Sequence, residues 1–288
     1  MLPEAAQINM MRALGLLVVL AAASDDTLFV MVSAPRSGTE WLRSMLNDHP
    51  EICCDGEPLL RLGRVTLAES AGARAAALAD TLEAAAANAG DAAGALKPCK
   101  KRARARGFKW FDGQGGARVD APDALLATLT RWVRTHRVKF IVLERQGLAK
   151  HVSDKLKHRS SQLGTRAVPT HCRDAACSSR VNAQRIALRG DVAGELDAAV
   201  ASFGAYLAWA RATVPFDDLL YVRYRDLAAD PDREMRRVYD FLKVDRSHAT
   251  NASLLVKSVT TPLADMIENW GEVKAQLEAG GWADEVMR

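Results

Sequence analysis

The run Thr27-Leu28-Phe29-Val30-Met31-Val32-Ser33 is short, almost wholly apolar and rich in β-branched residues, and Pro35 to Gly38 breaks it at once. A segment that is apolar on both faces reads as a strand buried on both sides of a parallel sheet. Beyond the break, Trp41, Leu42, Met45 and Leu46 recur at helical spacing, and Asn47-Asp48-His49-Pro50 stops the pattern. Strand, tight loop and helix together aim free backbone N–H groups and the positive end of a helix dipole at one point. Such a point suits an anion.

The same alternation continues along the chain. Gly107 to Phe111, Lys139 to Leu143 and Leu219 to Tyr224 read as further strands. Helices are expected over Ala124 to Arg134, from about Leu148, over Ala193 to Arg211, and over Pro231 to Leu242, the last opened by Asp230 as N-cap with proline in the first turn. Residues 68–95 are alanine-rich, with Leu78, Leu82 and then Leu96, and read as one or two surface helices around a break at Gly90. Gly164 to Ser179 is polar and reads as an irregular loop or lid. Strands separated by helices imply an α/β fold, a single domain with a central parallel sheet flanked by helices.

Residues 27–288 are assigned to that domain, which a chain of 288 residues can fill with one substantial core. Residues 1–26 are assigned to a signal-like or short anchor segment, because Ala13 to Ala23 is apolar behind Arg12. A packed first helix or strand is the alternative. The net charge of +4 is too mild to argue for nucleic acid. Five cysteines are too few for a disulfide scaffold, so they read as unpaired or buried thiols, with a Cys172–Cys177 bridge as the alternative. They lack zinc-site spacing, and no metal is expected.

Chemistry concentrates at two places. In Pro35-Arg36-Ser37-Gly38-Thr39, Gly38 lets the backbone approach an anion, Ser37 and Thr39 offer hydroxyls, and Arg36 offers a planar fork of donors. Arg145 directly follows the third strand, where open α/β sheets bind ligands, and Ser153 lies eight residues on. The pair can clamp a second anionic group, provided Arg36 and Arg145 face one another. The loop does not contain the G-x-x-x-x-G-K-[ST] pattern of an ATPase or GTPase.

With these residues in place, the chain resembles the sulfotransferase family. Pro35-Arg36-Ser37-Gly38-Thr39-Glu40-Trp41-Leu42 is similar to the family's 5′-phosphosulfate loop, and Arg145 with Ser153 to its 3′-phosphate pair. Gly107-Phe108-Lys109, and Arg223-Tyr224-Arg225-Asp226-Leu227 running on to Asp230-Pro231 and Phe241-Leu242, resemble two more family segments. The resemblance implies a P-loop-containing nucleotide-binding fold and transfer of a sulfuryl group from 3′-phosphoadenosine 5′-phosphosulfate (PAPS) to a hydroxyl. It further implies that Arg36, Ser37, Gly38, Thr39, Glu40, Trp41, Arg145, Ser153 and Tyr224 line the donor site, with Tyr224 at the adenine and Lys157 supporting the 3′-phosphate. Asp48-His49-Pro50 to Glu57 is similar to the tyrosylprotein branch, which makes Glu57 the expected base, Asp55 the reserve and Arg36 the stabiliser of the leaving oxygen. His49 is expected to cap and pack. Glu40 stands where the family commonly has Thr or Ser, and a carboxylate there repels an anionic donor unless it meets a cation.

The acceptor is a hydroxyl on a carbohydrate, a tyrosyl group or a small alcohol. A basic run containing Lys97, Lys100, Lys101, Arg102, Arg104, Arg106 and Lys109 is either a solvated loop or a cradle for an acidic glycan or peptide. A lumenal or membrane location in the secretory pathway is expected, with the cytoplasm as alternative. Two rivals remain: a nucleotide kinase, and a non-catalytic polyanion-binding protein.

Overall fold

A computed structural model describes residues 26–66, 70–88, 99, 103–111, 114, 124–162, 172, 174–249 and 261–286. Five strands in these residues, β1 (Thr27–Ser33), β2 (Ile52–Asp55), β3 (Ala105–Phe111), β4 (Lys139–Glu144) and β5 (Leu219–Arg223), form a wholly parallel sheet in the order β2-β3-β1-β4-β5. The fold is a single α/β domain.

β1 lies at the middle, and its side chains divide between two cores. Phe29 and Met31 pack with Leu42, Met45 and Leu46 of α1 (Thr39–Asp48) and with residues after β5. Val30 and Val32 point the other way, into a cluster with Leu78, Leu129, Trp132 and Phe203. All four β1 residues are buried. That is why the strand reads as a continuous apolar run and not an alternating one. The second cluster is supplied by α3 (Ala71–Ala87), α4 (Ala124–Thr135) and α7 (Val192–Thr213), joined to the sheet through α2 (Pro58–Val65). A third cluster ties α5 (Leu148–Gln162) and α6 (Ala175–Asn182) to the late helices α10 (Leu263–Met266) and α11 (Trp270–Ala279).

After β5 the chain turns into α8 (Tyr224–Ala229) and α9 (Pro231–Leu242). Asp230 accepts a hydrogen bond from the Arg233 N–H at 3.0 Å, the N-cap expected there. The short α12 (Ala283–Val286) ends the described chain.

Four features depart from expectation. β2 is a fifth strand, only four residues long and paired on one side with β3. Its other edge is closed by a side chain: Asn47 donates to the Cys54 carbonyl and accepts from the Cys54 N–H, both at 2.8 Å. Within the alanine-rich stretch the described part is helix α3, ended by Asn88 in the left-handed region, φ 54°, and it is no surface helix, since Leu78 and Leu82 are fully buried in the core; Gly90 and Leu96 lie outside the described residues. Part of the supposed irregular loop is α6, capped by Asp174, which accepts from the Cys177 N–H at 2.6 Å.

The cysteines are the fourth departure. Cys172–Cys177 is bonded, and so is Cys53–Cys99, which joins β2 to a segment 46 residues on. The unpaired reading holds for Cys54 alone, whose thiol burial pushes up to about 12. The apolar run Ala13 to Ala23 lies outside the described residues; among those described, no helix is long and apolar enough to cross a membrane.

Gly107 shows how tightly β1 and β3 meet. It pairs with Phe29, and a Cβ there would stand 2.1 Å from the Phe29 carbonyl oxygen. No strand partner can yield that distance without breaking the ladder. Gly107→Ala is therefore expected to cost on the order of 3 kcal/mol, read as a lower urea midpoint at unchanged slope.

Candidate functional site

The carboxyl ends of the strands carry the charged and aromatic groups. β1 ends at Ser33, whose hydroxyl donates to the Leu143 carbonyl of β4 at 2.6 Å and holds the two strand ends together. In the loop that follows, Arg36 and Gly38 take positive φ, 60° and 87°. Glycine is needed at position 38 for a second reason. A Cβ there would lie 2.6 Å from two ring atoms of Tyr224, the first residue after β5. The tyrosine thus rests directly on the loop, with Trp41 edge-on to it at 5.8 Å between centroids.

Arg145, beyond β4, completes the group. Its guanidinium lies 4.4 Å from the centre of the Tyr224 ring and donates to the Arg36 carbonyl at 3.1 Å. Arg36 and Arg145 therefore share one end of the sheet, as the clamp reading requires. Both guanidinium groups are shifted down, chiefly by burial; Asp154 opposes the shift in each, and the charge of Arg145 adds to that on Arg36. Two neighbouring half-buried cations repel, and an anion between them relieves that repulsion.

The loop itself offers more. Ser37 is fully buried, and its hydroxyl meets no hydrogen-bond partner among the described residues. A buried, unsatisfied hydroxyl at a helix start beside two arginines fits an anionic ligand. Thr39, the first residue of α1, is 5% exposed. Ser153 lies in α5 and is 8% exposed, but its hydroxyl donates to the Ala149 carbonyl at 2.8 Å. Binding a ligand as donor requires that bond to be released. Lys157 stands one turn further, exposed.

Glu40 does meet cations. Arg43 binds it through Nε and Nη2, and Lys109 Nζ reaches it at 2.9 Å. Burial works to raise this carboxyl, yet the two cations outweigh it and hold it down to about 2. Lys109, on β3 and 5% exposed, also reaches Glu57 Oε1 at 3.0 Å. Glu57 sits at the N-cap of α2, where Gln114 Nε2 donates to its other oxygen at 2.9 Å. One ammonium thus connects the loop helix to the expected base.

Asp55 is occupied otherwise. It accepts from Arg61 and from the Gly56 N–H, both at 2.6 Å. His49 is buried, lies 2.8 Å from the Asp245 carbonyl through Nε2, accepts from the Glu51 N–H through Nδ1, and packs on Tyr239; it caps and packs. The sequence reading did not single out Asp154, Arg43 or Gln114, and placed Lys109 in the basic run and in the Gly107-Phe108-Lys109 strand without giving it a role at the site. The i, i+3 spacing of Glu40 and Arg43 was a visible signal for that pair. Within the basic run, Arg104 pairs with Glu51 at 3.6 Å, Arg106 with Asp26 at 2.8 Å, and Lys109 as above. Lys97, Lys100, Lys101 and Arg102 lie outside the described residues.

The depressed Glu40 carboxyl links folding to pH. Its stabilisation is complete above its ordinary value of 4.5 and is lost as pH falls towards about 2. Unfolding free energy should drop across that window, and Glu40→Gln should remove about 3 kcal/mol of the drop, measured by urea titrations at a series of pH values.

A family model described as "Sulfotransferase family" matches residues 166–248. No curated protein matches the chain. Among solved structures, a sulfotransferase from Alicyclobacillus acidocaldarius aligns at 12% identity and TM-score 0.45, over 91% of this chain and 96% of that one. The sulfotransferase domain of the Synechococcus PCC 7002 olefin synthase aligns at 20% identity and TM-score 0.40, over 87% and 94%. Mouse sulfotransferase SULT7A1 in complex with PAP aligns at 14% identity and TM-score 0.39, over 80% of this chain and 62% of that one. All three scores fall below one half, so the weight rests on the family model. Over residues 166–248 the chain is similar to the sulfotransferase family.

Proposed function

We propose that the protein transfers a sulfuryl group from PAPS to an acceptor hydroxyl. One observation carries this reading: Arg36, Arg145 and the ring of Tyr224 meet at the carboxyl ends of three neighbouring strands. A nucleotide with anionic groups at both ends and a flat base between them matches that arrangement. The loop from Arg36 to Thr39 would hold the 5′-phosphosulfate. Arg145 and Ser153, with Lys157, would hold the 3′-phosphate, and Tyr224 with Trp41 would meet the adenine.

In the reaction the acceptor oxygen bonds to sulfur as the bond from sulfur to the bridging phosphate oxygen breaks. Arg36 stabilises the charge that develops on that leaving oxygen. Glu57 takes the acceptor proton, held for this by Lys109 and Gln114. Positioning and electrostatics carry the rest of the acceleration.

Arg104, Arg106 and Lys109 each sit in ion pairs, which disfavours a polyanion-binding role for these three residues of the basic run. The acceptor remains a carbohydrate, a tyrosyl group or a small alcohol. We also place the protein in an oxidising compartment, the lumen of the secretory pathway, because its two disulfides would not persist in a reducing one.

Incubation with sulfur-labelled PAPS and a panel of glycans, tyrosyl peptides and small alcohols, read by mass spectrometry, should label one class. Glu57→Gln should keep affinity for adenosine 3′,5′-bisphosphate and lose 10² to 10⁴ in turnover, on the order expected for a proton-transfer group. Arg145→Ala should weaken that affinity by about tenfold or more. Unchanged affinity in both Arg36→Ala and Arg145→Ala, or stabilisation by ATP instead, defeats the reading. Alkylation of the denatured, unreduced protein should label Cys54 alone.

A further inference from the structure

Lys109 is nearly buried, and its ammonium lies between two carboxylates, 2.9 Å from Glu40 and 3.0 Å from Glu57. The two acids are not held alike. Glu40 has a second cation, Arg43, whereas the second partner of Glu57 is the neutral amide of Gln114. Among the described residues, Asp55 and Arg61, on the segments flanking Glu57, pair with each other, and the buried Cys54, whose thiol burial keeps protonated, also faces Arg43, Lys109 and Glu40. Along the Arg43–Glu40–Lys109–Glu57 row, cations and anions alternate.

In a site this enclosed, a lysine given wholly to Glu57 would turn it into a counter-ion and make it a poor proton acceptor. We propose that Glu40 is a positioning residue for Glu57: by holding Lys109 from the other side, it limits the ammonium's grip on Glu57 and leaves that carboxylate basic enough to accept the acceptor's proton. Arg43 keeps Glu40 ionised for the purpose. The inference deepens the reading of Glu57 as base and rests on it. It also gives the loop-helix glutamate a role that Thr or Ser at this position could not fill, since neither carries a charge to set against the ammonium.

Two variants should move Glu57 in opposite directions. Glu40→Gln removes a negative neighbour of Lys109 and gives the ammonium to Glu57 undivided, so Glu57 should keep its charge to lower pH. Lys109→Met removes the cation and sets two carboxylates near each other, so Glu57 should protonate at higher pH. In protein carrying carbon-13 at glutamate carboxyls, the resonance lost in Glu57→Gln identifies Glu57. Its resonance should titrate at lower pH in Glu40→Gln and at higher pH in Lys109→Met than in the parent protein. A midpoint that stays or rises in Glu40→Gln overturns the inference, and that isosteric variant decides the matter alone if Lys109→Met does not fold. Failure of the base reading is seen separately, as normal turnover in Glu57→Gln with the labelled donor.

Discussion

β1 must be buried on both faces and hydrogen-bonded on both edges, and most of the molecule follows from that constraint. Its alternate side chains feed two cores, so helices must cover both sides of the sheet. Its neighbours are β3 and β4, one on each side. The loop after β1 therefore opens at a point where connections leave in opposite directions, the crevice that α/β sheets use for ligands. Arg36 emerges there from β1, Arg145 from β4 and Tyr224 from β5. Their meeting is a consequence of strand order, since 109 residues of chain separate the two arginines whose hydrogen bond closes the group.

That meeting has an electrostatic cost. Burial lowers both guanidinium groups from their ordinary value, and Asp154 only partly offsets it. The Ser37 hydroxyl is buried without a partner among the described residues. Natural folds leave few such groups, and those they leave cluster where a ligand completes them. Tyr224 serves as spacer in this arrangement: it lies against Gly38 on one side and beneath Arg145 on another, which keeps the arginine over the loop.

What the sequence revealed and what it hid divide along physical lines. Long periodic segments were legible: α9 has the bounds expected from Asp230-Pro231 and its apolar face, and α4 agrees to within one residue. β2 was not legible, because Ile52-Cys53-Cys54-Asp55 is too short to show a period and is stabilised from outside itself, by Asn47 and by a bond to Cys99. Nothing in the spacing of Cys53 and Cys99 marks them as partners; the fold brings them together. At the site, Arg36 and Arg145 follow local rules of strand and helix ends, and so their positions at the strand ends could be placed beforehand. The Lys109 bridge could not. It depends on the register of β3 beside β1, which sets Lys109 against Met31 and so within reach of both acids.

Glu57 follows two residues after the short strand β2 at the sheet's edge, where position is hardest to hold. A proton acceptor must be fixed to within a fraction of an ångström to act. The edge is accordingly tied at every available bond: the Asn47 amide closes its free side, Cys53 anchors it covalently, Asp55 is locked to Arg61, and Lys109 binds the carboxylate itself. Three of these ties hold the backbone, or the residue two before Glu57, and leave its carboxylate electronically untouched. Of these ties Lys109 alone acts on the charge that would do the chemistry, beside the neutral Gln114 amide, and it is the one tie that is divided with a second acid. Firm positioning and available basicity are opposed demands on one ion pair, and Glu40 lies where it can reconcile them.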